Sequence, residues 1–509
     1  MVAKILSGAL AGVAGIMIEV EVDIAGGIPV FDIVGLPDSA VKESRERVRT
    51  AIKNCNIAIP PKRITVNLAP ADIRKEGPHY DLPIALGILA GMGVVPAAAL
   101  ANVFVAGELS LDGQIRPVSG ILPMVHSAAQ SGIKMCIVPH DNGEEAALVR
   151  EARVIAPKSL SRLIAHFKGN FIEESIHTSA GNEPDNDAEL LDFADVRGQQ
   201  SVKRALAIAA AGGHNILLIG PPGSGKTMMA RRIPGILADL NFNQSIDVTK
   251  IYSVAGMIHN KGALIRNRPF RAPHHTVSYA ALVGGGKVPR PGEVSLAHHG
   301  VLFLDELPEF SRNVLEALRQ PLEDQFVTIS RTNATITYPC NFMLVASMNP
   351  CPCGFFGEEG GKCKCSERDV NRYLDKISGP LLDRIDMHVE AARVNYEDFD
   401  AGKKGDSTAD IKTAVSKALA TQAARYKDST IGQNAELTSG LIEQFCPLSG
   451  DCKELLKNIY DVMGLSARGY HKILKLARTI ADLAGDEDIA TNHLAEAIQY
   501  RSLDRKYWS

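Results

Sequence analysis

The sequence predicts an α/β protein of about three domains that ends in a block of helices. Three observations lead to this fold class. The chain has 509 residues, too many for one core, because a domain usually holds about 100–200 residues. The apolar run ILLI is followed directly by the glycine-rich run GPPGSGKT, an order typical of a buried strand, a turn and a helix. Helical periodicities dominate the last hundred or so residues.

Residues 1–172 are predicted to form the first α/β domain. The alternating strand pattern RITVNLAP (63–70) follows the charged, amphipathic helix pattern VKESRERVRTAIKN (41–54). The stretch 173–190 is polar and acidic, so we predict an interdomain linker there. The remaining predicted divisions are a second α/β domain, a polar break and a helical C-terminal domain, at residues 191–393, 394–410 and 411–509.

The composition indicates a cytoplasmic protein. The apolar N-terminus runs into the alternating pattern IMIEVEVDI (16–24), so we expect the first strand of a folded domain and not a signal peptide. The apolar runs 84–100 and 204–220 contain Gly, Pro or His breaks, so we expect no transmembrane helix. Nine cysteines without a secretory signal favour a reducing compartment. A net charge of −3 gives no global attraction to nucleic acid.

The run GPPGSGKT (220–227) is the strongest motif in the chain. It matches the pattern G-x-x-x-x-G-K-[ST] between a strand and a helix. Its glycines allow backbone N–H groups to surround phosphates, and the helix N-terminus adds a positive end. Lys226 is predicted to reach the β- and γ-phosphates of ATP, and Thr227 to bind Mg²⁺. The predicted ATP-binding residues are Gly220, Pro221, Pro222, Gly223, Ser224, Gly225, Lys226 and Thr227.

Two later strand patterns are predicted to bring polar residues to the same site. The first, GVLFLDE (300–306), ends in two carboxylates. We predict that Asp305 binds the Mg²⁺ and that Glu306 polarises the water that attacks the γ-phosphate. The second, FMLVASMNP (342–350), places Asn349 at a strand end, where an amide can orient that water.

In chain order, the motifs GPPGSGKT, VLFLDE, ASMNP, LLDRID and SARG resemble those of AAA+ ATPases. They are similar to the clade of magnesium chelatase ATPase subunits and MCM helicases. The segment 268–306 further resembles the ComM/YifB group, and this resemblance covers essentially the whole chain. It implies an N-terminal Lon-protease-like (ribosomal S5 domain 2-like) domain, an AAA+ core and a helical C-terminal lid. It also implies catalytic roles for Arg384, as a finger acting on a neighbouring subunit, and for Arg468, as the lid arginine.

The resemblance implies an ATP-driven hexamer that encircles single-stranded or branched DNA. Members of the ComM group act as branch-migration helicases that extend the integration of transforming DNA during homologous recombination, so recombination proteins are expected partners. Two alternatives remain open. One is a chelatase-type motor, although the sequence contains no D-x-S-x-S motif. The other is a protein-remodelling ATPase, which Tyr279 in HTVSYAALVGGG keeps open.

A basic, histidine-rich segment, 259–299, is the predicted DNA-contacting surface. Its glycine triplet Gly284–Gly286 beside Lys287 suits a loop that follows phosphates without reading the base sequence. The alternative is that residues 268–299 pack against the nucleotide domain, with their histidines hydrogen-bonded in place. The predicted DNA contacts are Lys261, Arg266, Arg268, Arg271, Lys287 and Arg290.

The Lon-like region lacks the residues of a Lon-type protease. In the matching segments, KEGPHYDLPIAL (75–86) and GELSLDGQIRPVSGILPM (107–124), His79 stands at the serine position and Leu122 at the lysine position. A Ser–Lys dyad requires a hydroxyl beside an amine of lowered pKa. We therefore expect no proteolysis, and either a DNA- or partner-binding role or a scaffolding role.

The stretch CPCGFFGEEGGKCKC (351–365) contains four of the nine cysteines. Disulfides are uncommon in the cytosol. Two C-x-C pairs joined by a glycine-rich turn could place four thiolates around a tetrahedral Zn²⁺; plain reduced thiols are the alternative. The predicted zinc ligands are Cys351, Cys353, Cys363 and Cys365, in a clasp that braces the turn after Asn349.

Overall fold

The protein is described from a computed structural model. The described residues are 2–176, 191–258, 264–286, 289–331, 334–357, 362–393, 405–429, 431–463 and 465–508. They form two compact units. Unit 1 contains the residues up to Ile176 and the described part of 242–265, and unit 2 contains 191–241 and the residues from Arg266 onward.

The described residues contain strands and helices in both units. The strands are β1 (Ala3–Ala11), β2 (Ala14–Ala25), β3 (Phe31–Val34), β4 (Arg63–Ala69), β5 (Val103–Val105), β6 (Glu108–Leu109), β7 (Ile115–Arg116), β8 (Met135–Ile137), β9 (Arg153–Ile155), β10 (Ser175–Ile176), β11 (Ile216–Ile219), β12 (Phe270–Arg271), β13 (Gly284–Gly285), β14 (Arg290–Pro291), β15 (Val301–Leu304), β16 (Phe326–Arg331), β17 (Ala334–Pro339), β18 (Met343–Met348) and β19 (Met387–Glu390). The helices are α1 (Ser39–Asn54), α2 (Asp81–Gly91), α3 (Ile121–Gln130), α4 (Gly143–Ala146), α5 (Leu160–Phe167), α6 (Gln200–Gly212), α7 (Lys226–Ala230), α8 (Ile233–Ile236), α9 (Phe242–Ala255), α10 (Tyr279–Val283), α11 (Glu293–Leu296), α12 (Arg312–Ala317), α13 (Arg319–Asp324), α14 (Glu367–Leu374), α15 (Gly379–Leu382), α16 (Thr408–Arg425), α17 (Ser439–Phe445), α18 (Gly450–Met463), α19 (Ala467–Ala484), α20 (Thr491–Gln499) and α21 (Ser502–Trp508). Within these described ranges, no helix is both long enough and apolar enough to cross a bilayer.

Unit 1 is built on an eight-stranded sheet in the order β10-β9-β8-β5-β1-β2-β4-β3. The N-terminal residues form its strands β1 and β2, which pair antiparallel from Ala3↔Val22 to Ala11↔Ala14. Along β2, every second residue from Ile18 to Val22 is fully buried, because successive side chains of a strand point to opposite faces. The alternating pattern at 16–24 therefore forms part of an inner strand of this unit.

Helix α9 belongs to unit 1, although the sequence places it inside the predicted block 191–393. The backbone N–H of Gly120, at the start of α3, donates to the carbonyl of Ser253 over 3.2 Å. The Ser253 hydroxyl donates to a carboxylate oxygen of Glu145, which also accepts from the Leu122 N–H at 3.1 Å. The buried carboxylate of Glu145 thus depends on α9 for one of its hydrogen bonds. This dependence is the physical reason for the difference from the predicted boundary.

Unit 2 contains a five-stranded parallel sheet in the order β12-β15-β18-β11-β19. Its central strands β11, β15 and β18 are buried along their whole length, as expected for a parallel sheet covered on both faces. Ile219 aligns with Met348, and Leu304 aligns with Ala346. The carboxyl ends of these three strands therefore lie together, and the segments that follow them meet at one edge of the sheet.

The C-terminal helices share one core with the parallel sheet. Helix α16 packs on α6 and α19, and Gln422 of α16 donates to the Ala211 carbonyl at 2.9 Å. The helix begins at Thr408, inside the predicted break 394–410, because Ser407 and Asp410 form a capping box at its N-terminus. The predicted helical block is therefore present, and it is continuous with the core of the sheet.

We expect burial of His79 to make unit 1 acid-sensitive. His79 is buried with Nε2 at 2.8 Å from the Gly8 carbonyl, and this burial lowers its pKa from 6.5 to about 4. Because the unfolded chain binds a proton at a higher pH than the folded chain, stability is lost as the pH falls from about 6.5 to about 4, by about 3 kcal/mol in all.

A His79→Gln variant, which retains an N–H donor for Gly8, should lose less stability than the wild type on acidification. Calorimetry of the full chain at about pH 7 and about pH 5 measures this difference. His140→Gln, at an exposed position of the same unit, is the control. An equal acid dependence in the His79→Gln variant and the wild type would show that His79 is not responsible.

Candidate nucleotide-binding site

The phosphate-loop sequence forms the turn between β11 and α7. Strand β11 ends at Ile219 and α7 begins at Lys226, with Gly225 as its N-cap. Gly223 and Gly225 have φ angles of 78° and 83°, which residues with a Cβ rarely adopt. The glycines of the motif therefore permit the sharp return of the chain that leaves the backbone N–H groups at the helix start available to an anion.

The side chain of Lys226 is hydrogen-bonded to the backbone of its own loop. Its Nζ donates to the carbonyls of Gly220 at 2.7 Å and Pro221 at 2.9 Å, and lies 3.3 Å from Oδ1 of Asn349. Burial lowers the pKa of the Lys226 ammonium, and the carboxylates of Asp305 and Glu306 oppose this effect. These three hydrogen bonds are all to neutral oxygens, so a phosphate would be a stronger partner for this cation.

Thr227 and Asp305, the two predicted Mg²⁺ ligands, are in direct contact. The Thr227 hydroxyl donates to Oδ2 of Asp305 at 2.7 Å. The Ser347 hydroxyl donates to the other carboxylate oxygen, which also accepts from the N–H of Glu306 at 3.1 Å. A hydroxyl and a carboxylate beside a phosphate-binding turn are the oxygen donors that Mg²⁺ uses together with phosphate oxygens.

Glu306 adopts a backbone conformation that is rare for a residue with a side chain. Its φ is 55°, and such strain tends to occur at functional sites. The side chain is 54% exposed, and its Oε2 lies 3.9 Å from Nδ1 of His275. The carboxylate is therefore accessible to water at the same edge of the sheet as Asp305 and Asn349.

Arg384 lies near the amino ends of the parallel strands, whereas the phosphate loop follows the carboxyl end of β11. Arg384 precedes β19, whose residue Met387 aligns with Ile216 at the start of β11. Its guanidinium donates to the Pro380 carbonyl at 2.7 Å and to the carboxylate of Glu323. The structure therefore does not bring Arg384 to the phosphate loop of its own chain.

Arg468 lies on the same side as Arg384. It is exposed in the first turn of α19, and Lys472, one turn later, donates to the Ile385 carbonyl at 2.9 Å. The adjacent Arg384 lowers the pKa of the Glu323 carboxylate, and Arg468 makes a smaller contribution in the same direction. The two predicted catalytic arginines therefore form one basic cluster around an acid.

Two predicted DNA contacts are engaged inside unit 2. Arg268 donates to the His299 carbonyl at 2.7 Å and to the Ala238 carbonyl, and burial lowers its pKa. Arg271 forms a bidentate pair with Glu293, with N–O distances of 2.6 and 2.8 Å. Both arginines therefore bind protein oxygens within unit 2, and their predicted contact with DNA stays a prediction.

The other predicted DNA contacts divide into two groups. Arg266 and Arg290 are exposed, whereas Lys261 and Lys287 lie outside the described residues. The buried His298 accepts a hydrogen bond from the backbone N–H of Asn341 at 3.0 Å. Part of the segment 259–299 thus packs within unit 2, as expected if residues 268–299 pack against the nucleotide domain.

Sequence reasoning missed two polar residues of the site. Gln199 donates from its amide to the Ser224 carbonyl at 3.3 Å and so contacts the phosphate loop from outside. Ser347, which binds Asp305, is fully buried near the end of β18. The signal for Ser347 was a lone hydroxyl in an otherwise apolar strand pattern, MLVASM, whereas Gln199 has no local pattern that would reveal it.

The positions that match a Lon-type dyad lie near Gly8 in unit 1. The His79 ring hydrogen-bonds to the Gly8 carbonyl, and Leu122 is buried in α3. The side chain of Met124, also in α3, lies close to Gly8. Both matching segments are thus near one another, but they present an imidazole and an isobutyl group where the dyad needs a hydroxyl and an amine.

Three family models match successive parts of the chain. The model described as "Magnesium chelatase, subunit ChlI" matches residues 192–399. Those described as "Subunit ChlI of Mg-chelatase" and "Magnesium chelatase, subunit ChlI C-terminal" match residues 20–142 and 405–501. Together they cover parts of unit 1 and of unit 2.

Similar proteins agree with these matches. The chain is 43% identical to competence protein ComM of Haemophilus influenzae, over 99% of this chain and 98% of the relative. It is also 43% identical to protein YifB of Escherichia coli K12, over 97% and 96%. Lon protease 2 of Bacillus subtilis is 29% identical over 25% of this chain and 22% of its own length. These findings confirm the predicted fold class, and the chain belongs to the ComM/YifB family of magnesium-chelatase-like AAA+ proteins.

Proposed function

We propose that this protein is an ATP-hydrolysing ring motor that acts on DNA. In this proposal it is a hexameric helicase or branch-migration translocase that promotes the integration of transforming DNA by homologous recombination. The observation that carries the ATPase part is the Thr227–Asp305 contact beside Lys226 at the carboxyl edge of the parallel sheet. The name of the competence protein ComM, to which this chain is similar, supports the DNA part.

Each polar residue of the site has a separate proposed role in ATP hydrolysis. Phosphate oxygens of ATP replace the carbonyl partners of Lys226, which gains a charged acceptor. Thr227 and Asp305 would hold Mg²⁺, which would offset the charge of the phosphates. Glu306 accepts a proton from the attacking water, and Asn349, already hydrogen-bonded to Lys226, orients that water.

Hydrolysis is proposed to require two chains. Arg384 and Arg468 lie away from the phosphate loop of their own chain, around Glu323. In a closed ring of identical subunits, the same surface of each chain can face the site of its neighbour. We infer that both arginines stabilise the transferring phosphoryl group of the adjacent subunit, and that Glu323 holds Arg384 before assembly.

A Glu306→Gln variant should bind ATP but fail to hydrolyse it. We expect turnover to fall by roughly 10²–10⁴-fold, because an amide cannot accept the proton of the attacking water. Phosphate release measures turnover, and a fluorescent ATP analogue measures binding. Glu309→Gln, three residues away and also exposed, is the matched control and should retain turnover. Near wild-type hydrolysis by Glu306→Gln would exclude Glu306 as the base.

An Arg384→Ala variant should lose ATPase activity by a factor of about 10³–10⁵, the contribution of an arginine finger in other phosphoryl-transfer enzymes. Mixing it with a Lys226→Ala variant should restore part of the activity. In such mixed rings, the Lys226→Ala subunit supplies an intact Arg384 to the working site of the other chain. If no mixing ratio restores activity, Arg384 does not act across a subunit interface.

DNA dependence distinguishes the proposed motor from its alternatives. Single-stranded and forked DNA should raise ATP turnover, and forked DNA should be unwound by the wild type but not by Lys226→Ala. Absence of both effects would contradict the helicase proposal. Stimulation by an unfolded protein would instead favour a remodelling ATPase, and stimulation by a tetrapyrrole with its metal would favour a chelatase motor. Electron microscopy with ATP and forked DNA would count the subunits of the ring.

A further inference from the structure

Four sulfur atoms lie together directly after the strand that carries Asn349. The Sγ atoms of Cys351, Cys353, Cys363 and Cys365 all lie within 4.8 Å of one another. Cys351 and Cys353 are 3.3 Å apart, and Cys363 lies 3.8 Å and 3.7 Å from these two. In a tetrahedral site with Zn–S bonds of about 2.3 Å, the sulfur atoms are about 3.8 Å apart.

This spacing distinguishes a single-ion site from the other uses of four cysteines. A disulfide brings two sulfur atoms to about 2.05 Å, and all four of these cysteines are free. A cluster of several iron atoms needs its ligand sulfurs further apart than one ion does. Four thiolates at the corners of a small tetrahedron suit zinc, which takes four sulfur ligands in closed structural sites.

The sulfur cluster belongs to a turn that supports the phosphate loop from two sides. Asn349, two residues before Cys351, lies 3.3 Å from Nζ of Lys226. Gly354 packs so closely on Pro222 that a Cβ at Gly354 would lie 2.5 Å from the proline ring. Cys351 itself is fully buried. The segment that holds the cysteines thus contacts the phosphate loop at Pro222, and it directly follows Asn349, which contacts Lys226.

We propose that these four cysteines bind one structural Zn²⁺, and that the bound ion fixes the turn which holds Asn349 and Pro222 against the phosphate loop. Bonds between the ion and the four sulfur atoms stabilise the turn, because a short, glycine-containing turn has little packing of its own. It has no open coordination position and takes no part in hydrolysis. The effect on nucleotide binding rests on the proposed function of the site, whereas the metal site does not.

Zinc content of the purified full chain tests the metal site. Elemental analysis should find about one zinc per chain in the wild type and less than about a tenth of that in the double variant Cys353→Ser/Cys363→Ser, because two of the four ligands are removed. Cys55→Ser, which removes a half-buried thiol of unit 1, is the matched control and should keep its zinc. Wild-type protein with no zinc, or with iron in its place, would overturn the proposal.

Two glycines of the same turn, neither of them a zinc ligand, test the coupling between this turn and nucleotide binding by the phosphate loop. Gly354 and Gly357 have φ angles of 86° and 80°, so an alanine at either position carries similar backbone strain. Only Gly354 meets Pro222; the nearest atoms to a Cβ at Gly357 belong to Lys506, at 3.8 Å. Both Gly→Ala variants should keep zinc, and Gly354→Ala should bind a fluorescent ATP analogue roughly tenfold more weakly than Gly357→Ala, as expected when a binding loop is displaced.

Equal affinities of these two variants would contradict the coupling. Lys226→Ala separates the metal site from the proposed function, because it should lose nucleotide and retain a full complement of zinc. A wild-type protein that binds zinc but no ATP would contradict both the proposed function and the coupling, and would establish the metal site alone.

Discussion

The parallel alignment of β11, β15 and β18 is the constraint on which the nucleotide site depends. Because Ile219 pairs with Met348 and Leu304 with Ala346, the three strands end at one edge, and the chain must place a glycine turn, an acid pair and an amide side by side. The short polar contacts among Thr227, Asp305 and Ser347 follow from that alignment. A shift of β18 by one residue would turn Ser347 to the other face of the sheet and remove a hydrogen bond from the Asp305 carboxylate.

The charges of unit 2 are separated by the same sheet. Lys226 is held at the carboxyl edge by neutral oxygens, whereas Arg384 is held at the amino edge by Glu323. Lys226 and Arg384 therefore lie at opposite ends of the parallel strands within one chain. This separation supports the proposal that Arg384 acts on a neighbouring subunit, since a closed ring of identical chains could bring these two ends of adjacent subunits together.

Local sequence patterns predicted much of this fold and site. The phosphate loop, the acid pair and Asn349 each follow a short apolar strand, so their common position could be predicted from strand ends alone. The protein partners of Arg268 and Arg271 could not be predicted from the sequence, because the oxygens that bind these arginines belong to residues 22 or more positions away in the chain. Gln199 was not predicted for a similar reason, because its partner Ser224 lies 25 residues later in the chain, after helix α6.

The position of α9 has a consequence for how the protein can be divided. The chain enters unit 2 after the segment 177–190, returns to unit 1 at Phe242 and enters unit 2 again at Arg266, so three crossings connect the units. A fragment cut at residue 176 would lose α9 and leave the buried Glu145 carboxylate without the Ser253 hydroxyl. The complementary fragment would carry α9 without the α3 surface against which it packs. A cut at residue 176 would therefore divide unit 1, because this unit is formed from two separate stretches of the chain.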